Sequence, residues 1–227
     1  MKLLRLIGLV AGLLMLAVFV FGQEPKKESY SKLKSRSSRT NIEQQLEDAE
    51  SLKSNNPDEA LTRVQDALAM SIAQRDDFNE ARCYILIAQI NEGIVEWRLA
   101  YENYSRAYAI LQSYKSANEY QTALSGMGNA SLKLIDYTRS LQYYNELLNL
   151  RLSDRDRRKY QLDLSEVYYQ MGQYDESLKV LESITASKVS DPALDARLES
   201  QKAKVYARTN DLQRTQDSYS NSLNSLR

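Results

Sequence analysis

The chain has 227 residues in which 30 lysines and arginines balance 30 aspartates and glutamates, with no histidine, one cysteine, seven glycines and three prolines. A neutral balance supplies no field to recommend nucleic acid as a partner, and the missing histidine removes both the usual neutral-pH base and the commonest metal ligand. Scarce glycine and proline point to a chain built from helices.

The first element is a leader. Met1 to Arg5 is a short basic start, and the apolar run from Leu6 to Gly22 ends in Val20-Phe21-Gly22, the pattern of a secretory signal peptide cut before Gln23. Seventeen apolar residues also reach the lower limit of a membrane span, so residues 6–22 could instead stay as a membrane tether. No cysteine lies near the end of the run to carry a lipid. Residues 23–41 form a basic polar linker with Lys26, Lys27, Lys32, Lys34, Arg36 and Arg39, and only Tyr30 and Leu33 to bury. Such a stretch cannot offset its ordering entropy.

From residue 42 to 227 the spacing predicts ten helices in five hairpins. The pairs are Asn41 to Lys53 with Pro57 to Gln74, Glu80 to Glu92 with Glu96 to Ser113, and Ala117 to Leu134 with Tyr137 to Leu150. Asp156 to Met171 with Tyr174 to Ala186 and Pro192 to Thr209 with Leu212 to Leu226 complete the set. Asn56-Pro57-Asp58-Glu59 and Ser190-Asp191-Pro192 each supply a cap followed by a proline in the first turn. Gly93 and Gly172 mark turns inside hairpins. The carboxylate pairs Asp154 and Asp156, and Asp175 and Glu176, fall at helix starts, where they complement the helix dipole better than they suggest acid–base chemistry. Cys83, between Ala81 and Tyr84, reads as a small core residue, and without histidine it has no partner for nucleophilic catalysis.

The hairpins share a register. Ala60, Ala100, Ser140, Ser177 and Thr215 recur at intervals of 40, 40, 37 and 38 residues. Val64, Tyr104, Tyr144, Leu181 and Tyr219 lie four positions on, and Ala67, Ala107, Leu147, Ile184 and Ser222 three further. This i, i+4, i+7 stripe is one face of a helix. The small anchors let paired helices approach: Ala88 meets Ala100, Gly128 meets Ser140, Ser165 meets Ser177 and Ala203 meets Thr215. Trp97, Tyr137, Tyr174 and Leu212, three positions before their anchors, are expected to fill the gaps between units, and Tyr108, Tyr168 and Tyr219 to pack as well. A hairpin of this length buries too little alone, so stacking on a neighbour completes its core.

These residues resemble the tetratricopeptide repeat family, above all Leu164-Ser165 through Tyr168, Gly172, Tyr174, Ser177, Leu181 and Ile184, and Ile87-Ala88 through Trp97, Ala100, Tyr104 and Ala107. The units here are longer than the family's common 34 residues. The resemblance implies an all-α, right-handed superhelical solenoid of antiparallel helix hairpins, without catalytic residues, metal or cofactor, whose first helices line a groove for a peptide or helix. By the family's ligand-facing positions it implies groove residues Arg82, Ile85, Gln89 and Glu92, then Thr122, Ser125, Asn129 and Lys133. Lys159, Leu162, Glu166, Tyr169 and Gln170, and lastly Arg197, Ser200, Lys204 and Arg208, follow. Only Asn129 matches part of the family's clamp for chaperone tails. Lys159, Arg197, Lys204 and Arg208 make the implied groove basic toward its end, which suits a protein segment carrying an acidic residue. The run Arg155-Asp156-Arg157-Arg158-Lys159 reads as a solvated helix start rather than a docking patch. Two functions fit: an exported or membrane-tethered protein-interaction scaffold of the cell envelope, or the extracytoplasmic sensing portion of a bacterial signalling protein.

Overall fold

Side-chain caps set the helix starts. Asn56 accepts from the Glu59 amide and returns its own amide to the Glu59 carboxylate at 2.9 Å, ahead of Pro57. Asp76, Asp136, Ser153, Asp191 and Asp211 each accept from an amide three residues on, at 3.1 to 3.2 Å. The computed structural model describes residues 41–184 and 191–226, so the leader, most of the linker and the expected end of the fourth hairpin at Ala186 lie outside the described residues.

The ten α-helices are α1 (41–52), α2 (Pro57–Gln74), α3 (Asp77–Gly93), α4 (Trp97–Ile110), α5 (Asn118–Lys133), α6 (Tyr137–Leu148), α7 (Asp154–Gln170), α8 (Tyr174–Ser183), α9 (Pro192–Arg208) and α10 (Leu212–Ser225), counted among the described residues. A short 3-10 turn, Leu111–Ser113, ends α4, and no strand occurs among the described residues. Helix α3 starts three residues before the predicted Glu80 because Asp76, not a later residue, is its cap. Residues 1–44 and 45–227 form two compact units; the described part of the first is the opening turn of α1, and the stacked hairpins belong to the second.

Each hairpin packs on the next. The first helices of neighbouring units also touch directly, α3 on α5, α5 on α7 and α7 on α9. The second helices α4 and α6 are bridged instead by long tyrosines: Tyr101 and Tyr143 share a hydroxyl bond at 2.7 Å, and Tyr108 donates to Glu146 at 2.9 Å. The result is an all-α solenoid of five antiparallel helix pairs.

The register positions show why small residues are needed. Ser140 donates to the Gly128 carbonyl at 2.8 Å and Ser177 to the Ser165 carbonyl at 2.9 Å, each reaching the partner helix twelve residues back. At the nearest crossing a hydroxyl therefore meets backbone, and a larger side chain would hold the helices apart. A methyl group on Gly126 would lie 2.4 Å from the Tyr104 ring, which is 2 % exposed. Ala60, Val64, Ala67, Ala100, Tyr104, Ala107, Ser140, Tyr144, Leu147, Ser177 and Leu181 are all buried. The last unit departs from this: Leu212 is 76 % and Tyr219 46 % exposed, so neither packs as expected. Among the described residues no further helix lies on that face of α10.

Turns inside the hairpins also keep register. Val95, Ile135, Gly172 and Asn210 have φ of 67, 64, 76 and 62°, each preceding the cap of a second helix by one residue. Glycine and asparagine tolerate this left-handed geometry. The β-branched Val95 and Ile135 do not, at a cost of about 1–3 kcal/mol each. The turn expected at Gly93 is thus made at Val95, with Gly93 still helical.

Candidate functional site

Three adjoining depressions run along the first helices. The first, roughly 500 Å³, is walled by Leu46, Glu47 and Glu50 of α1, Arg82, Ile85 and Gln89 of α3, and Glu119 and Thr122 of α5. The second, roughly 660 Å³, shares Gln89 and Thr122 with it and adds Lys53, Glu92, Ser125, Gly126, Asn129, Lys159 and Asp163. Asn129, Tyr144 and Asp163 continue into the third, roughly 310 Å³, with Lys133, Glu166, Arg197, Ser200, Gln201 and Lys204. The spacing of these residues explains the shared wall: Lys159, Asp163 and Glu166 on α7, and Arg197, Ser200, Gln201 and Lys204 on α9, each follow a helical stripe of three and four residues.

Eight of the ten predicted groove residues, Arg82, Gln89, Asn129, Lys133, Lys159, Glu166, Arg197 and Lys204, line these depressions. Tyr169 and Arg208 do not. They bond to each other instead, the Arg208 guanidinium donating to the Tyr169 hydroxyl at 3.1 Å, and the Tyr169 ring packs at a tilt against Tyr174 with centroids 5.6 Å apart. Leu162, expected to face the groove, is 1 % exposed within the apolar cluster of Leu181, Ile184, Leu198 and Val205. Asp163 takes its place. The sequence signal was present, since Asp163 falls four residues after Lys159 and three before Glu166.

The floor is held by second-helix tyrosines. The Tyr104 hydroxyl donates to Glu92 at 2.9 Å, and Asn129 donates to the other oxygen of the same carboxylate at 3.0 Å, tying α3, α4 and α5 together at the centre of the channel. Burial first, and then the Glu92 carboxylate, push the Tyr104 hydroxyl well above its ordinary range, so it stays a donor. Lys53 crosses from the end of α1 to Gln89 at 3.1 Å.

Acidic partners temper the basic end that the sequence suggested. Arg197 bonds Asp163 at 2.6 Å and the Lys204 amine lies 4.0 Å from Glu166. At the opposite end, Arg82 shares the first depression with Glu47, Glu50 and Glu119. The wall therefore passes from an acidic excess near α1, through balance beside Glu92 and Lys159, to a small basic excess where Lys133, Arg197 and Lys204 outnumber Asp163 and Glu166.

The basic run before this wall is not uniformly solvated. Arg158 is 5 % exposed and ion-paired with Asp195 of α9, while Arg155 bonds Asp191 at 2.8 Å and Arg157 donates to the Leu148 carbonyl at 3.1 Å. Asp154 and Asp156 occupy the first turn of α7, and Asp175 and Glu176 that of α8. No group of histidine, cysteine, aspartate or glutamate able to hold a metal ion occurs among the described residues.

Cys83 is fully buried, 4.0 Å from the Ser71 hydroxyl. Burial pushes its thiol up to about 11. Between the ordinary thiol range and that value the unfolded chain releases a proton that the folded chain keeps, so this group makes stability fall as pH rises through that interval and leaves it unchanged near neutrality. The thiolate is the reactive form. Maleimide should therefore label Cys83 in native protein at neutral pH only at the rate of unfolding, and fully once urea is added. Labelling of native protein as fast as a free thiol would contradict this placement.

No family model matches the chain, and no curated protein matches it in sequence. Solved structures do. Nearly identical TPR-like repeats assigned to a kinesin light chain of Podosopora anserina superpose with a TM-score of 0.69 at 16% identity, covering 83% of this chain and 95% of that one. The apo form of RapI gives 0.65 at 12% identity over 83% and 64% of the two chains. YrrB, a TPR protein with an unusual peptide-binding site, gives 0.54 at 16% identity over 80% and 84%. The chain thus has a TPR-like helical-repeat fold. At such identities the likeness is one of fold.

Proposed function

We propose that the chain is a non-enzymatic interaction scaffold whose first-helix channel receives an extended segment of another protein. The observation that carries this is the change of charge along one continuous wall, from Glu47, Glu50 and Glu119 to Lys133, Arg197 and Lys204. A uniformly solvated face has no reason to be ordered in this way, whereas a bound segment reads it as direction: an acidic residue over α7 and α9, a basic one over α1 and α3. The Glu92 clasp with Tyr104 and Asn129 supplies a preformed floor, which lowers the ordering cost of binding. The likeness in fold to YrrB, a TPR protein with a peptide-binding site, supports a peptide ligand.

The apolar leader supports export, with residues 23–227 as the mature scaffold in the cell envelope and residues 6–22 as the alternative tether. No helix among the described residues is long and apolar enough to cross a membrane. Terminal sequencing of protein recovered from the producing cell should find Gln23 first if the leader is removed.

Selection from a displayed library of random peptides tests the groove. Enriched sequences should carry an acidic residue on one side and a basic residue on the other. Reversing Lys159→Glu and Arg197→Glu together should weaken the best peptide by about tenfold or more, equivalent to about 1.4 kcal/mol, with most of the loss at low salt. Undiminished affinity in that variant would remove this channel as the binding site.

A further inference from the structure

The two strained turns are also the most apolar protrusions of the inner units. Ile94 and Val95 are 45 % and 65 % exposed, Leu134 and Ile135 43 % and 71 %. None of the four lines the channel. The equivalent positions in the fourth and fifth units are Gly172 and Asn210, so the turn itself asks for no aliphatic side chain. Val95 and Ile135 thus oppose both backbone preference and solvent exposure.

The two turns stand side by side. Lys133, the last residue of α5, places its amine 5.8 Å from the centre of the Trp97 ring at the start of α4. Tyr137 opens α6 on the same edge, and Arg98 and Arg139 are exposed in the first turns of α4 and α6. The acids there are Glu96 and Asp136. Asp136 already caps the Arg139 amide and lies 3.4 Å from the Arg139 guanidinium.

We propose that this edge docks onto an anionic lipid surface. Protruding aliphatic tips offer a protein partner no concavity to fill, but they can enter the interfacial layer of a bilayer. Tryptophan and tyrosine favour that boundary because one end of the ring is apolar and the other wet. Arg98, Lys133 and Arg139 then meet lipid phosphates, each cation adding to attraction at a negative membrane surface. The edge shares only Lys133 with the peptide channel; its other residues belong to the tips of the turns within hairpins and the first turns of α4 and α6 rather than to the walls of the first helices.

Trp97 is the only tryptophan in the chain, so its fluorescence reports this edge directly. The full chain should be mixed with vesicles of phosphatidylcholine and phosphatidylglycerol whose acyl chains are brominated, and with purely phosphatidylcholine vesicles. Trp97 emission should shift to the blue and lose at least half its intensity on the anionic vesicles. The double variant Val95→Asn, Ile135→Asn should lose this quenching. Asparagine suits the left-handed turn, so that variant should melt at the same temperature or higher, and lost quenching cannot then be put down to unfolding. A retained leader could bring either protein to vesicles, but only docking of the edge brings bromine to Trp97. Unquenched Trp97 in the folded wild-type chain, or equal quenching in the double variant, would overturn the proposal. Loss of the variant's self-association in sedimentation, without any lipid quenching in the wild type, would assign the edge to a second copy of the chain instead.

Discussion

Replacing Tyr104 by alanine should lower the unfolding free energy by about 3–5 kcal/mol, the range for removing a large buried ring. The ring is 2 % exposed, covers Gly126 of the next unit, and carries the hydroxyl that holds Glu92. The truncation therefore opens a cavity between two hairpins and removes a donor from a carboxylate at the channel floor. For a chain of this size the melting temperature should fall by roughly 10 °C or more. Tyr104→Phe separates the two contributions. It keeps the ring and leaves Glu92 with Asn129 alone, so the loss should be about 1 kcal/mol. Urea unfolding followed by circular dichroism measures both, and a loss below about 1 kcal/mol for alanine would show that the ring does not join the units.

Asp195→Ala should cost about 3 kcal/mol, toward the low end of what is seen when one member of a buried ion pair is removed. The Arg158 side chain is 6 % exposed and Asp195 39 %, so the arginine loses its counter-charge while remaining shielded from water. Its Nε has no hydrogen-bond partner among the described residues, which leaves it little to fall back on. Changing Arg158→Met in the same molecule should restore most of the stability, because an apolar chain of similar length fills the site without a charge to solvate. If the single variant unfolds at the wild-type urea concentration, the pair contributes nothing to the joint between α7 and α9.

Much of the fold was legible because its rule is steric and local. Ala100, Ser140 and Ser177 stand where two helices come closest, and only short side chains fit there, so the register announces itself in residue size. The shared wall on which the proposed groove rests was legible in outline for the same reason: once α7 and α9 are placed, Lys159, Glu166, Arg197 and Lys204 share faces. What failed was finer. Leu162 and Asp163 are adjacent on α7, and a helix rotates by about 100° per residue, so an error of one position exchanges a core leucine for a groove carboxylate. The buried state of Arg158 depends on Asp195, 37 residues away, and no local pattern announces that pairing. The turns at Val95 and Ile135 were invisible because reading by propensity looks for glycine. Leu212 and Tyr219 follow the register faithfully, yet they are exposed because burial at those positions comes from a neighbouring unit rather than from their own helix.

The tyrosine bridges across the second helices have a mechanical consequence. Glu146 accepts from Tyr108 of the second hairpin at 2.9 Å and from Tyr120 of its own hairpin at 2.8 Å, and the Tyr101 hydroxyl meets that of Tyr143, so the second and third hairpins are riveted by two tyrosine bonds loaded in parallel. Under tension applied to the two ends, that central joint should resist extension more than a joint held by apolar packing alone.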